Sequence, residues 1–346
     1  MNLGILGAGS FGTAMSNHAA KLGYGVRLWC RNPEQAESIN GQRMNPRYLK
    51  GCKLHEEVRA DSHLERVVAF GEKIILAVPT QSLRDVFGRL KSLDRGLEHD
   101  LKQNLKLEGK DFLSLAKGME ISSGKLPHQI AEELLPEISY SALSGPSHAE
   151  EVVRDLPTAV VVASRSHATA REWQKTLNSP HFRIYTGDDL MGVELGGAIK
   201  NIIAIAVGIS QSLNFGDNAK AALATRGLAE MARLGASLGV APLTLTGLAG
   251  TGDLMVTCYS HHSRNLRFGL AIGRGLDREE AASEIGQVVE GAHTVRALVA
   301  YARKAGIELP IAEGVHAVLY EGASIHQALQ KLLFREPKPE QSLRYQ

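Results

Sequence analysis

Lys200 stands in the run Glu194-Leu195-Gly196-Gly197-Ala198-Ile199-Lys200-Asn201-Ile202-Ile203, an amine among glycine and aliphatic residues. Burial disfavours the charged form of a lysine. An amine brought nearer the operating pH is suited to general acid–base catalysis. A lysine on the wet side of a helix is the ordinary alternative. Inside so apolar a segment, however, it needs a partner or a cavity. Asn201 follows about 100° further round a helix, where its amide can orient Lys200 or a substrate. Glu194 lies seven residues before Asn201, on nearly the same helical face. A site residue and a satisfied core group are both open readings for it. Asp253 closes the string Gly247-Leu248-Ala249-Gly250-Thr251-Gly252-Asp253. The glycines suit a tight backbone path beside a ligand. The carboxylate can hold Lys200, bond substrate hydroxyls or cap a helix.

A second constellation opens the chain: Gly7-x-Gly9-x-x-Gly12, with Ser10 and Phe11 between the last two glycines. It follows the apolar run Leu3–Leu6 and opens a helical pattern, Phe11–Leu22. In that setting Gly7 permits the tight turn, Gly9 the approach of a pyrophosphate and Gly12 close helix–strand packing. The helix start supplies free N–H groups and a positive dipole to the phosphates. A second strand pattern ends Trp29-Cys30-Arg31, where an NAD site usually places an acid for the ribose 2′-hydroxyl. Arg31, 24 residues after Gly7, is a cation that can pair with a 2′-phosphate. NADP(H) is therefore the expected preference, with NAD(H) also admitted. A solvated surface arginine is the alternative.

The elements that must position these residues can be read at low resolution. The chain has 346 residues, 44% hydrophobic and 22% charged, with a net charge of +2. That allows two domains. Near-balanced charge without like-charge runs gives nucleic-acid binding no support. Strand patterns at Leu3–Leu6, Gly25–Trp29, Lys73–Val78, Phe112–Ala116, Tyr140–Leu143 and Thr158–Ala163 have helical stretches between most of them. This predicts an N-terminal Rossmann-like, doubly wound, mostly parallel α/β sheet over residues 1–186. Beyond about Thr186 strand patterns nearly vanish, and 187–335 is expected to be an all-helical domain. Residues 336–346 are expected to form a loose tail, and Leu93–Lys110 an exposed excursion. The apolar segment Gly192–Leu213 carries Glu194, Lys200 and Asn201. A buried helix is therefore expected there rather than a membrane span. Cys30, Cys52 and Cys258 lie far apart, which suits a reducing cytoplasm. No secretory leader is expected, because Met1-Asn2 is not basic and Gly9-Ser10 interrupts the apolar run. None of the 13 histidines forms HExxH or zinc spacing, so no metal is expected.

Further strings complete a pattern: Leu115-Ala116-Lys117-Gly118-Met119-Glu120, Ser144-Gly145-Pro146-Ser147-His148-Ala149, Ser263-Arg264-Asn265 and Val289-Glu290-Gly291. With the glycine cluster and the Lys200 and Asp253 strings, this ordered set resembles the NAD(P)-dependent glycerol-3-phosphate dehydrogenases of the bacterial soluble type. The resemblance covers roughly Asn2 to Leu333. It implies reduction of dihydroxyacetone phosphate to sn-glycerol 3-phosphate, the backbone precursor of membrane phospholipids. It also implies a site in the cleft between the domains. Lys200 is then the general acid/base, and Lys117, Gly145, Ser147, Asp253, Ser263, Arg264 and Asn265 contact substrate. The cofactor set is Gly7, Gly9, Ser10, Phe11, Gly12, Arg31, Lys117, Ala149, Arg264, Val288 and Glu290.

Some of these placements have independent sense. Lys117 follows a strand at its carboxyl end, where open α/β sheets bind ligands. Arg264 offers a planar fork for phosphate oxygens, and Ser263 reads as a helix N-cap beside an anion site. Pro79 is expected to shape a loop near the nicotinamide. Asn45-Pro46-Arg47-Tyr48-Leu49 also matches a family string, with a place near the cofactor and no role assigned. A homodimer remains an open expectation. Two other readings compete: a 6-phosphogluconate-type or 3-hydroxyacid dehydrogenase on the same plan, and an NADP-binding sensor without turnover.

Overall fold

The computed structural model describes residues 1–96, 105–336 and 339–340. The chain divides into two compact units, Met1–Lys117 with Lys125–Glu194, and Gly118–Gly124 with Leu195–Gln346. The first unit alternates strands and helices: β1 (Asn2–Leu6), α1 (Ser10–Lys21), β2 (Gly25–Trp29), α2 (Pro33–Gln42), β3 (Val58–Asp61), α3 (Leu64–Phe70), β4 (Lys73–Leu76), α4 (Leu83–Gly96), β5 (Asp111–Ser114), α5 (Pro127–Leu134), β6 (Ser139–Ser144), α6 (Ala149–Val152), β7 (Thr158–Ser164), α7 (His167–Leu177) and β8 (Phe182–Gly187). These strands form one eight-stranded sheet in the order β3-β2-β1-β4-β5-β6-β7-β8. Every neighbouring pair is parallel except β6 with β7. This is the doubly wound sheet that the alternating pattern predicts.

Alternate strand residues serve opposite faces. Leu3, Ile5 and Leu28 pack with Met15 of α1 and Trp173 of α7. Leu6, Ile74, Leu76 and Phe112 pack with Val67 of α3, Phe87 of α4 and Ile130 of α5. The short apolar strand runs are therefore explained by helices on both sides.

Two strands escape the sequence reading, and both lie at the sheet's edges. β3 (Val58-Arg59-Ala60-Asp61) pairs only with β2, and β8 only with β7. Their burial alternates along the strand, so neither shows the continuous apolar run of a central strand. The excursion expected over 93–110 also needs correction. Leu105 and Leu107 are buried in the core beside Phe112, so its far end is core rather than exposed surface. Residues 97–104 of that stretch, like 337–338 and 341–346 of the expected tail, lie outside the described residues.

The second unit is helical: α8 (Leu190–Ser212, beginning at the end of the first unit), α9 (Gly216–Ser237), α10 (Pro242–Thr246), a π-turn (Leu248–Gly252), α11 (Asp253–Tyr259), α12 (Arg264–Gly273), α13 (Arg278–Ile285), α14 (Glu290–Ala305), α15 (Pro310–Tyr320) and α16 (Ile325–Leu333). Among described helices α8 alone is long and apolar enough to cross a membrane, yet 89% of its most apolar window is buried inside the protein. Glycines bring it against α12. A Cβ on Gly208 would lie 2.2 Å from the Leu266 carbonyl oxygen, and one on Gly269 the same distance from that of Ile205. The two helices thus cross backbone to backbone.

Glu230 of α9 caps α15, accepting from the N–H of Ile311 at 2.6 Å and of Ala312 at 3.3 Å. Burial outweighs those two bonds and raises its carboxyl from 4.5 to about 7. An acid whose pKa is raised on folding contributes stability below its unfolded value and loses it as pH rises through the folded value. Between pH 4.5 and about 7 the loss is roughly 3 kcal/mol. The Tm of Glu230→Gln, which keeps an acceptor but no charge, should therefore fall less over that interval than the wild-type Tm. Equal slopes would refute the assignment.

Candidate active site

The glycine turn between β1 and α1 shows three different uses of glycine. Gly7 has φ +120°, and a Cβ there would lie 2.7 Å from the Ala77 carbonyl oxygen. A Cβ on Gly12 would lie 1.9 Å from the Gly7 carbonyl oxygen. Both are required by the protein's own packing. Gly9 is not, because nothing stands within 4 Å of a Cβ built there. The space beside Gly9 fits the close approach of a ligand. Thr13 is the first N–H of α1 to find an acceptor, the Gly9 carbonyl at 2.9 Å. The preceding N–H groups, including those of Ser10 and Phe11, are the open donors of a helix start. The turn therefore fits a dinucleotide pyrophosphate. Arg31 is exposed two residues past β2 and makes no hydrogen bond or ion pair with another described residue.

On the same unit, Lys117 follows β5, and Gly145 and Ser147 follow β6. Lys117 Nζ and Ser147 Oγ both donate to the Gly145 carbonyl, at 3.3 and 2.9 Å. Gly145 has φ +134°, and a Cβ there would lie 2.9 Å from Val160 Cα. Ala149 is buried at the start of α6. Pro79 precedes a short 3-10 turn, Thr80–Ser82, after β4.

Glu194 belongs to a buried cluster of the first unit. Its carboxylate accepts from the His128 N–H at 3.1 and 3.2 Å, from His128 Nδ1 at 2.6 Å and from the Tyr140 hydroxyl at 2.8 Å. Burial pushes the His128 pKa down, but the Glu194 bond and charge outweigh it, so the net shift is upward. Burial and the Glu194 charge push the Tyr140 hydroxyl well up. Of the two readings left open for Glu194, the structure supports the satisfied core group.

In the second unit Lys200 is 6% exposed and Asp253 1%. Lys200 Nζ donates to Asp253 Oδ1 and, at 2.9 Å, to Thr257 Oγ1. Thr257 in turn donates to the Asp253 carbonyl at 2.6 Å. The glycines of the preceding turn deliver Asp253 to this place. A Cβ on Gly250 would lie 1.8 Å from the Leu245 carbonyl oxygen, and one on Gly196 of α8 2.7 Å from that of Ala249. Thr257 went unnoticed in the sequence, although it lies one helical turn beyond Asp253, on the same face. Burial raises the neighbouring Cys258 thiol to about 12 against the pull of Lys200, which disfavours its thiolate form.

The Ser263-Arg264-Asn265 string opens α12. Ser263 is its N-cap and accepts from the Leu266 N–H at 3.1 Å. Asn265 Nδ2 donates to Asn201 Oδ1 at 2.9 Å, and Asn265 Oδ1 accepts from the Gly291 N–H at 3.0 Å. A Cβ on Gly291 would lie 2.6 Å from the Asn201 carbonyl oxygen, so α14 also closes on the lysine helix. Arg264 is half-buried and spends one N–H on the Val288 carbonyl at 3.0 Å. That bond ties it to the residue two places before Glu290, the first residue of α14. Among the described residues no group of three or more His, Cys, Asp or Glu could hold a metal ion. The second unit therefore gathers an ammonium–carboxylate pair, an amide chain and a helix start bearing an arginine.

Family models described as the N-terminus and C-terminus of NAD-dependent glycerol-3-phosphate dehydrogenase match residues 2–170 and 189–330. A protein of Pelodictyon phaeoclathratiforme named glycerol-3-phosphate dehydrogenase [NAD(P)+] is 43% identical over 98% of this chain and 99% of its own length. One of the same name from Pseudomonas entomophila is 44% identical over 96% of this chain and 94% of its own. The crystal structure of glycerol-3-phosphate dehydrogenase (gpsA) from Coxiella burnetii is 39% identical, with a TM-score of 0.89 over 96% of this chain and 99% of that one. The chain belongs to the NAD-dependent glycerol-3-phosphate dehydrogenase family.

Proposed function

We infer that this protein reduces dihydroxyacetone phosphate to sn-glycerol 3-phosphate with NADPH or NADH. The observation that carries this reading is the buried Lys200–Asp253–Thr257 set, beside the Asn201–Asn265 link to the start of α12, in a chain of this family. The nicotinamide, when bound, supplies a hydride to C2 of the ketone. Lys200 supplies the proton to the C2 oxygen, and solvent restores it. Asp253 and Thr257 fix the amine for that transfer. Arg264, with the Ser263 hydroxyl and the N–H groups opening α12, holds the substrate phosphate. Asn265 is held by Asn201 and Gly291 so that it can meet the same ligand. By the family resemblance, Lys117, Gly145 and Ser147 of the first unit also contact the substrate. Gly7 to Gly12 hold the pyrophosphate, and Ala149, Val288 and Glu290 complete the cofactor contacts. A dimer of this chain in the cytoplasm, supplying phospholipid synthesis, completes the reading; its three free cysteines suit such a compartment.

The decisive experiment is a reductase assay with dihydroxyacetone phosphate and each cofactor. Turnover of 6-phosphogluconate, with no oxidation of NADPH by dihydroxyacetone phosphate, would overturn this function. Arg31 is proposed to favour NADPH through its 2′-phosphate. Arg31→Ala should lower the NADPH/NADH ratio of kcat/KM by about tenfold, the worth of one charge-assisted hydrogen bond. An unchanged ratio would remove Arg31 from the cofactor site.

A further inference from the structure

Asn45 is 1% exposed and lies in the loop between α2 and β3. Its amide nitrogen donates to the Ala8 carbonyl at 3.0 Å and to Thr13 Oγ1 at 2.8 Å. Its amide oxygen accepts from the N–H groups of Arg47 and Tyr48, at 3.2 and 3.1 Å, and from Gln35 Nε2 at 3.1 Å. Backbone N–H groups can only donate, so they fix which end of the amide is oxygen. All the bonding capacity of this side chain is thereby used. Gln35 Nε2 also donates to the Ala8 carbonyl, at 3.0 Å.

The peptide that receives both amides is the one between Ala8 and Gly9, inside the glycine turn. In a trans peptide the carbonyl and the next N–H point in opposite directions. Two donors on the Ala8 oxygen therefore direct the Gly9 N–H away from Asn45 and Gln35. This peptide needs such a hold. Glycine stands at Gly7 and Gly9, and glycine backbones turn easily. A peptide turned over would aim a carbonyl oxygen, not a donor, at an incoming phosphate. We propose that Asn45, with Gln35 as second donor, is a positioning residue that keeps the Ala8–Gly9 peptide in its anion-accepting orientation before the dinucleotide arrives. This rests on the assignment of the glycine turn to the dinucleotide.

The test measures NADPH and NADH dissociation constants by fluorescence on the full chain. Asn45→Asp keeps the acceptor for Arg47 and Tyr48, and so the loop, but loses both donors. It should weaken NADPH and NADH alike by about tenfold or more, while the KM for dihydroxyacetone phosphate at saturating NADPH stays within about twofold. Gln35→Ala loses the second donor without opening a buried site and should weaken both cofactors by about threefold, which serves if the Asn45 variant does not fold. A role confined to holding the loop would leave cofactor binding intact in Asn45→Asp. Wild-type affinity in both variants, with binding abolished in Gly9→Val, would overturn the proposal alone. Unchanged binding in Gly9→Val would overturn the assignment of the turn itself.

Discussion

Lys200→Ala is expected to reduce kcat by about 10²- to 10⁴-fold, the range for loss of a positioned acid, with NADPH affinity nearly unchanged. The proton delivered to the C2 oxygen has to come from a group fixed beside it. Lys200 is the buried amine that the second unit fixes, with a carboxylate and a hydroxyl as its partners. Its removal also leaves Asp253 buried without its cation, which costs about 3–5 kcal/mol. Lost folding could then imitate lost chemistry. The double variant Lys200→Ala/Asp253→Asn separates the two. It removes the stranded charge and should recover Tm without recovering turnover. A rate within about tenfold of wild type in either variant would take the acid role from Lys200.

Arg264→Ala should raise the KM for dihydroxyacetone phosphate by roughly 10- to 150-fold, the worth of 1.5–3 kcal/mol for a hydrogen bond to a charged group. The more diagnostic reading compares phosphorylated and unphosphorylated substrate. If Arg264 holds the phosphate, the variant should lose much of the wild-type preference for dihydroxyacetone phosphate over dihydroxyacetone. A preference equal to wild type would show that Arg264 acts only through its bond to the Val288 carbonyl. Arg264→Lys should recover part of the loss, since an ammonium is a point charge without the guanidinium fork.

What the sequence made legible was chemistry carried by short strings. The glycine turn, the apolar lysine helix and the Ser263 cap each declare themselves within about ten residues, because backbone geometry and local polarity contrast are local properties. What stayed hidden depends on contacts distant in the chain. Thr257 is an unremarkable helical threonine until Asp253 and Lys200 are seen beside it. Asn45 sits in a recognisable string, yet its meaning lies 37 residues away at the Ala8 carbonyl. Glu194 shares a helical face with Asn201 in sequence, but its partners come from β6 and from the start of α5. The edge strands β3 and β8, half polar, lack the unbroken apolar run that betrays a strand buried on both faces. Leu105 and Leu107 are two leucines amid charges, and only the core that receives them marks them as interior.

The backbone crossing of α8 and α12 bears on the spacing of the proposed proton donor and phosphate hook. Lys200 lies eight residues before Gly208 on one helix, and Arg264 five residues before Gly269 on the other. Where Gly208 and Gly269 leave no room for a Cβ, the spacing of the two helices is set by backbone contact rather than by side-chain packing. If Lys200 is the proton donor and Arg264 the phosphate hook, as proposed above, the gap between them is set by this crossing. Widening that gap would then take a new helix crossing rather than a larger pocket.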